Sequence, residues 1–296
     1  MNIPNRYERR LLRRIQEFRR AALLENHTVV EQLGTVDVFF HPNNPDPAAN
    51  CITPHKGVAW VRREDLRNAC AGLERLGRAP RLIFQAALFP EAFRRQLLLM
   101  GLQPESAWQI LVYRPLYGPA PAGESLYGQL PSAFHYDVTA SVASDATALR
   151  TWLRVFQAGY YRTDSAPVDQ AQVADMVRQA AAGRRIFVLA SYRGTPLGAA
   201  RVSVRDRVAE LEAVVTEPYW EGMGLEEALV TTGVRAAEGC GCDLIFTLSP
   251  PQEPPALYRR LGFLPLTKLL IYRRQEEDPA EQKTSTARPQ KGETTP

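Results

Sequence analysis

The chain has 296 residues, enough for one large domain or two ordinary ones. Its composition, 45% hydrophobic and 23% charged, excludes a collagen-like chain and a chain that is disordered along its whole length. The formal net charge of +4 is too small to indicate nucleic-acid binding by itself.

The cysteines and the apolar runs narrow the class of protein further. Four cysteines are too few for a disulfide scaffold, and we predict that they are reduced and mostly buried. Cys240 and Cys242 lack the spacing of most zinc knuckles and have no nearby histidine, so we expect no metal. No apolar run approaches the roughly 20 residues that span a bilayer. No apolar segment follows the arginine-rich N-terminus, so we expect no secretory signal, no membrane partner and a cytoplasmic location.

The N-terminus is predicted to form an amphipathic helix from Asn5 to Leu24. Its apolar positions lie on one helical face, at Tyr7, Leu11, Ile15, Phe18 and Ala22. Arginines occupy much of the rest. We favour a helix docked on the body of the protein over a surface for RNA, membrane or acidic partners, because Glu8 and Glu17 dilute the charge.

A weak internal repeat suggests two related units. The order helix, strand, helix, Gly-apolar, strand occurs twice. In the first copy a helix is predicted at Glu64–Leu76, a strand begins at Leu82, 19 residues before Gly101, and a last strand is predicted at Ile110–Arg114. In the second copy Leu244 begins a strand 18 residues before Gly262. We therefore predict an N-terminal helical extension (1–27), a first domain (28–130), a second domain (131–275) and a disordered tail (276–296), with a Pro- and Gly-rich linker at 115–131.

The second domain can be predicted element by element from its hydrophobic periodicity. Strands are expected at His135–Val142, Arg185–Tyr192, Leu197–Val204, Val208–Val215, Asp243–Leu248 and Thr267–Arg273. Helices are expected at Asp145–Gly159, Asp169–Ala182, Leu225–Glu238 and Ala256–Leu261. This order predicts an α+β layer fold with a mixed sheet.

A glycine-containing loop joins a predicted strand to the helix that begins at Leu225. Gly222 and Gly224 allow the backbone to approach a ligand closely. The free N–H groups of the loop and of the first helical turn favour binding of an anion, and a pyrophosphate is the ligand we expect. The third glycine of the dinucleotide fingerprint is absent, as are the P-loop, zincin and α/β-hydrolase motifs. A lone G-x-G could also be only a tight turn.

Tyr258 stands four residues before Gly262-Phe263 in the helix after the next strand. With the element order and the glycine loop, this ending resembles the GNAT superfamily of acyl-CoA-dependent N-acyltransferases over residues 135–274. The resemblance implies an α+β fold with two GNAT-like α/β/α units, each with a mixed, splayed central sheet, and an N-terminal helix. Residues 28–114 resemble a degenerate GNAT domain, because they lack the G-x-G and have Leu97 where Tyr258 stands.

The resemblance implies acetyl-CoA or another acyl-CoA as co-substrate. The glycines match the family's pyrophosphate loop, while Tyr219 stands where the family has Gln or Arg, and Trp220 and Glu221 replace smaller or basic residues. By position, the strand before the loop pairs with the pantetheine arm and polarises the thioester carbonyl. The implied cofactor-binding residues are Val214, Val215, Tyr219, Trp220, Glu221, Gly222, Met223, Gly224 and Leu225.

The resemblance also assigns catalytic roles. Tyr258 matches the tyrosine that protonates the departing thiolate, although it could be a packing residue. Glu210 and Glu212 share a strand face, and Glu212 is the candidate general base; both could equally be solvated carboxylates. The acceptor pocket would be built near Phe156, Tyr160 and Tyr161, which could also be core and loop packing.

The predicted function is acyl transfer from acyl-CoA to a primary amine, of a small molecule or a peptide, by direct attack. No cysteine or serine stands in an obvious nucleophile setting, so no covalent enzyme intermediate is expected. The alternative is a non-catalytic GNAT-like protein that binds a ligand or serves as a scaffold. Nucleic acid is not an expected partner, and neither the acceptor nor the oligomeric state can be read from the sequence.

Overall fold

The structure, a computed structural model, describes residues 4–25, 28–58, 60–114, 137–162, 167–250 and 256–274. The predicted linker at 115–131 and the predicted tail at 276–296 lie outside the described residues, as does the predicted strand start at His135. Their predictions therefore stay predictions.

The chain divides into two compact units whose segments alternate along the sequence. Unit 1 contains residues 1–22, 85–88 and 107–269, and unit 2 contains residues 23–84, 89–106 and 270–296. The N-terminal helix, expected as an extension of its own, groups with unit 1. The predicted boundaries at residues 130 and 275 fall among residues that the structure does not describe.

The helices of the described residues follow the predicted apolar periodicity closely. Asp145 and Asp169 begin two of them by accepting hydrogen bonds from backbone amides of the first turn, which satisfies donors that the helix leaves unpaired. The α-helices are α1 Arg6–Glu25, α2 Arg63–Arg75, α3 Glu91–Leu99, α4 Ala146–Tyr161, α5 Gln170–Ala181, α6 Leu225–Gly239 and α7 Ala256–Arg260.

The strands of unit 1 match the predicted ones to within a few residues, except at the two long strands discussed below. The strands are β1 Val29–Leu33, β2 Val36–Phe40, β3 Cys51–Pro54, β4 Arg81–Gln85, β5 Leu102–Tyr113, β6 Val138–Ala143, β7 Arg185–Tyr192, β8 Thr195–Arg205, β9 Val208–Thr216, β10 Leu244–Ser249 and β11 Phe263–Arg274.

Unit 1 contains a mixed sheet in the order β5-β10-β9-β8-β7-β6. Strands β9 and β10 pair in parallel, whereas the other neighbouring pairs in this order are antiparallel. Helix α6 covers one face of the sheet, where its Leu229 belongs to the same buried cluster as Val202 and Leu211 of the strands. Helices α4 and α5 cover the other face, where Trp152 of α4 packs on Phe187 of β7. Because successive residues of a strand point to opposite faces, both layers of helices are needed to cover the sheet.

Helix α1 packs on unit 1 through the apolar face predicted from the sequence. Leu12 and Ile15 are fully buried, and the Phe18 ring meets the Phe246 ring of β10 edge-on at 5.5 Å between centroids. The helix docks through Leu11, Ile15 and Phe18 as predicted, whereas Tyr7 is 60% exposed. Arg14 and Arg19 form ion pairs with Asp243 and Glu210 instead of facing water.

Unit 2 contains the antiparallel strands β1, β2 and β3, and β3 pairs with β4 in parallel. Strands β1, β2 and β3 are only four or five residues long, and the hydrophobic pattern of the sequence does not distinguish them as separate strands. The turn between β1 and β2 is fixed by Asp65, which accepts hydrogen bonds from the Thr35 amide at 2.8 Å and the Thr35 hydroxyl at 2.7 Å.

Strands β5 and β11 each begin directly after a glycine and run for 12 residues, earlier than the predicted starts at Ile110 and Thr267. Gly101 and Gly262 have φ of +77° and +89°. Glycine adopts this left-handed conformation without steric cost, so the helix ends there and the chain extends at once. Both strands thus start at the same point after a glycine, which makes the two copies of the repeat more alike than the sequence predicted.

Candidate functional site

Strands β9 and β10 diverge at the centre of the unit 1 sheet. Their parallel pairing joins Val208–Leu211 to Leu244–Thr247 and ends at Leu211 and Thr247. Strand β9 continues to Thr216, while β10 continues as Leu248 and Ser249 with pairing to β5. The β10-facing side of β9 beyond Leu211 therefore has no ladder partner among the described strands.

A β-bulge lies at the point of divergence. Arg201 of β8 pairs with Ala213, whereas the next residue, Val202, pairs with Leu211. Glu212 is thus the extra residue of β9. Glu210 and Glu212 share the α4 face because residues two apart in a strand point the same way. The bulge shifts the alternation that follows, so Val214 packs on the α6 side.

The glycine loop begins after a short 3-10 turn at Pro218–Trp220. Gly222 and Gly224 both adopt left-handed φ, +78° and +81°, and Gly224 is the N-cap of α6. Within the described part of the chain, the backbone amides of residues 221–227 have no hydrogen-bond partner. A Cβ added at Gly222 would meet no atom within 4 Å, so the space beside the loop is open. This arrangement suits an anionic ligand.

The backbone of the loop favours an anionic ligand, whereas its acidic side chains do not. Trp220 packs against Tyr192 at 5.3 Å between ring centroids, whereas Tyr219 is 96% exposed. Burial, followed by the charge of Glu221, raises the pKa of Glu226 in the first turn of α6. The loop therefore attracts an anion through its amides and opposes it through two carboxylates.

Tyr258 of α7 lies where β9 and β10 separate. Its ring packs edge-on against Phe263, with centroids 5.5 Å apart, and Thr247 is close enough to lower the pKa of the phenol. The Thr247 hydroxyl donates to the Leu211 carbonyl at 2.8 Å. Burial is the main cause that raises the pKa of Tyr258 to about 12, and the charge of Glu226 adds to it. The phenol is therefore protonated at neutral pH and can donate a proton.

Glu212 is held among polar side chains of β7 and β8. It accepts a hydrogen bond from the Ser203 hydroxyl and forms ion pairs with Arg201 and Arg185, at 2.5 Å and 3.7 Å between nitrogen and oxygen. The alternative of a freely solvated carboxylate is not what the structure shows, since the side chain is only 21% exposed.

Glu210, the other acidic residue on this face, is buried. Its partner is Arg19 of α1, with the guanidinium nitrogen 3.1 Å from the carboxylate oxygen. Burial raises the pKa of Glu210 and the charge of Glu212 adds to this, while Arg19 and Arg201 act in the opposite direction. The N-terminal helix thus supplies a cation to the same face as the candidate base.

An aromatic ladder follows one face of α4 toward this region. Trp152, Phe156 and Tyr160 stack in succession, with centroids 4.8 Å and 5.3 Å apart. Trp152 is buried, whereas Tyr160 and Tyr161 are 60% and 62% exposed. The guanidinium of Arg201 lies 5.8 Å from the centre of the Phe156 ring. Phe156 is thus a packing residue that also borders the polar cluster.

The structure brings most of the predicted site residues to one end of the unit 1 sheet. Val214 packs on the α6 side and Val215 on the α4 side, so the strand between bulge and loop is held from both faces. Sequence reasoning missed Thr247 and Ser249, whose hydroxyls flank the divergence. Ser249 is buried, and its hydroxyl has no hydrogen-bond partner in the described ranges. Their alternation with apolar residues in β10 was the available signal.

Comparison with known proteins agrees with this geometry. Residues 147–263 match the sequence profile described as the Acetyltransferase (GNAT) family. Residues 147–263 form a GNAT domain. No curated protein matches the sequence.

Solved structures share the fold over most of the chain. A GCN5-related N-acetyltransferase from Kribbella flavida is 18% identical, with a TM-score of 0.62, covering 91% of this chain and 98% of its own. One from Sphaerobacter thermophilus is 14% identical, with a TM-score of 0.59, covering 89% and 90%. A tandem GNAT protein from the clavulanic acid biosynthesis pathway is 14% identical, with a TM-score of 0.54, covering 82% and 79%. The predicted tandem GNAT fold is confirmed.

Two properties of the described residues bear on membranes and on metal ions. None of their helices is long and apolar enough to cross a bilayer. In the same part of the chain, no group of three or more His, Cys, Asp or Glu side chains is placed to hold a metal ion.

Proposed function

We propose that the GNAT domain transfers an acyl group from acyl-CoA to a primary amine. The observation that carries this proposal is the position of the Tyr258 hydroxyl. Tyr258 lies near Thr247, which forms the last parallel pair of β9 and β10 with Leu211, beside the unpaired stretch of β9. A protonated phenol at an open strand edge is what a departing thiolate requires.

The residues present fit acyl-CoA as the substrate. The unpaired amides of residues 221–227 would hold the pyrophosphate, helped by the positive end of the α6 dipole. The free edge of β9 at Val214 and Val215 would pair with the amides of the pantetheine arm and polarise the thioester carbonyl. Glu221 and Glu226 oppose a polyanion, so the binding free energy would come from the backbone.

In the proposed reaction, the neutral amine nitrogen attacks the thioester carbonyl carbon. The new C–N bond forms as the C–S bond breaks and the thiolate leaves. Glu212 accepts the proton that the amine loses, and Tyr258 donates a proton to the sulfur. Holding both reactants at the divergence of β9 and β10 supplies orientation, so no covalent enzyme intermediate is needed.

A second candidate function is ligand binding without catalysis. The carboxylates of Glu221 and Glu226 beside the proposed phosphate-binding loop favour this second function, because they lower the affinity for CoA. A domain of this kind would bind a ligand at the divergence and release no thiol.

Tyr258→Phe tests the proposed role of the phenol. Removing the hydroxyl should lower kcat by about 100-fold or more, while the ring packing on Phe263 and the affinity for acyl-CoA stay nearly unchanged. The measurement is release of free CoA thiol with acetyl-CoA and a panel of primary amines. Tyr113→Phe is the matched control, since Tyr113 also packs on Phe263 and has no proposed role. Full turnover by Tyr258→Phe would remove the phenol from the mechanism.

A further inference from the structure

Arg201 is fixed in position by two neighbours. Its Nε lies 2.5 Å from a carboxylate oxygen of Glu212, and its guanidinium lies over the Phe156 ring. The side chain is 32% exposed. Among the described residues, its buried Nε makes no hydrogen bond of good geometry, so the contact with Glu212 is an ion pair. An arginine anchored in this way presents its planar terminal nitrogens with little further loss of side-chain entropy.

The polar cluster around Arg201 carries an excess of positive charge. It contains the guanidiniums of Arg19, Arg185 and Arg201 and the carboxylates of Glu210 and Glu212, three cations against two anions. All five side chains are at least two-thirds shielded from solvent. An unbalanced cation is costly in such a place, so a ligand that brings one negative charge is favoured.

Arg201 and Glu212 also present opposite charges side by side. An ammonium and a carboxylate on adjacent carbons of one small molecule would match this pair, the carboxylate on the arginine and the ammonium on the glutamate. Such a ligand would place its amine at the proposed base and beside the open edge of β9.

We propose that the amine acceptor is an α-amino acid, whose carboxylate is bound by Arg201. This inference rests on the proposed function and adds the chemical class of the acceptor to it. Arg201 is then the residue that determines specificity, and Glu212 serves both to anchor it and to receive the amine proton. A peptide N-terminus or an amino sugar lacks a carboxylate next to its amine and would leave Arg201 without its partner.

The experiment compares acceptors that differ only in the carboxylate. A panel of free α-amino acids and the corresponding α-amino acid amides is offered with acetyl-CoA, and thiol release gives kcat/KM for each. The wild type should prefer the free acid in at least one pair by about 100-fold, because the amide leaves the guanidinium of Arg201 without a carboxylate partner. Arg201→Gln should lose that preference, measured as the ratio of kcat/KM for the acid to kcat/KM for the amide, whatever the fall in turnover of both. Arg201→Lys should restore part of the ratio. Arg178→Gln, on the surface of α5, is the control and should keep the full preference.

Binding of acetyl-CoA, measured by calorimetry on the same samples, separates this inference from the function on which it rests. Amides used as well as acids, with acetyl-CoA bound, would overturn the amino-acid acceptor and leave acyl transfer standing. If other amines are acetylated but no acid or amide is, the amino-acid acceptor is likewise overturned and acyl transfer still stands. Absence of acetyl-CoA binding would overturn both. If Arg201→Gln does not fold, the wild-type comparison of acid with amide decides alone.

Discussion

Glu210 and Arg19 form a buried ion pair whose two partners come from distant parts of the sequence. The pKa of Glu210 is raised from its ordinary value of 4.5, chiefly by burial, so the folded protein holds this proton more tightly than the unfolded chain. Ionisation of Glu210 therefore costs stability as the pH rises through the interval between the unfolded and folded pKa. The charges of Arg19 and Arg201 reduce the cost of ionising Glu210, whereas the charge of Glu212 increases it.

Arg19→Met should destabilise the protein more at pH 8 than at pH 5. Without the guanidinium the folded-state pKa of Glu210 rises further, so the stability lost to this group grows as the pH rises above its ordinary pKa of 4.5. The loss at pH 8 should be about 3 kcal/mol. Urea unfolding at the two pH values measures it.

Arg14→Met on the same helix is the control for that series. Arg14 pairs with Asp243, which is 47% exposed, so the loss should be no more than about 1 kcal/mol. An equal loss at both pH values for Arg19→Met would contradict the role given to Glu210.

Site residues could be predicted where the chain carries a local signature, and not where the site is assembled from distant segments. The glycines of the loop and Tyr258 stand at recognisable spacings, and the structure places both at the divergence of β9 and β10. Arg19 and Arg201 meet Glu210 and Glu212 only through tertiary packing, since α1 and β8 reach the same face. Nothing in their local sequence distinguishes them from surface arginines.

At the scale of elements, α4 approaches β9 unusually closely at Gly159. A Cβ added there would lie 3.0 Å from the Thr216 carbonyl oxygen and 3.2 Å from Val215 Cβ. The backbone cannot yield as a flexible side chain would. This contact sets the distance between the aromatic ladder of α4 and the unpaired stretch of β9.

Gly159→Val should lower the free energy of unfolding by about 1–3 kcal/mol, because the added methyl groups push α4 away from β9. Chemical denaturation is the measurement. Gly239→Ala at the end of α6 is the matched control, since an added Cβ there meets nothing within 4 Å. That variant should be neutral or slightly more stable. A Gly159→Val protein as stable as wild type would show that α4 can shift without cost.

Element type could be predicted from periodicity, whereas several element bounds could not. Helices α1, α2, α4, α5 and α6 have strong apolar faces and were located to within about two residues, the usual uncertainty at helix ends. Strands β5 and β11 begin earlier than predicted, because their first residues do not form an apolar run and are recruited by pairing. The bulge at Glu212 has no signature in the sequence at all.

At the scale of the whole molecule, each unit has its own chemistry. Unit 2 has a fully buried leucine, Leu97, where unit 1 has Tyr258. The sequence before α2 contains Gly57 but no G-x-G. Its polar contacts, such as His55 Nδ1 to the buried Asp37 at 2.9 Å, tie its own strands together. These features support the proposal that the first repeat no longer binds CoA.

The cysteines provide a test that covers both units. All four are free; Cys51, Cys70 and Cys242 are buried and Cys240 is exposed. Burial raises the pKa of Cys70 and of Cys242 to about 11, so both are protonated and unreactive at neutral pH. Iodoacetamide at pH 7.5 should modify one thiol per native chain, at Cys240, and four after denaturation. Peptide mass spectrometry would identify the site, and fast labelling of Cys70 would show that unit 2 opens readily.

Binding of acetyl-CoA to the GNAT domain is the central claim, and isothermal titration calorimetry of the full chain tests it most directly. The wild type should bind one acetyl-CoA per chain, and Gly222→Trp should abolish binding because its side chain fills the space beside the phosphate-binding loop. Gly183→Trp is the matched control, since Gly183 also has a positive φ of +64° and open space around it, at the turn after α5. It should bind as the wild type does. No heat of binding by the wild type at millimolar acetyl-CoA, or undiminished binding by Gly222→Trp, would contradict this account.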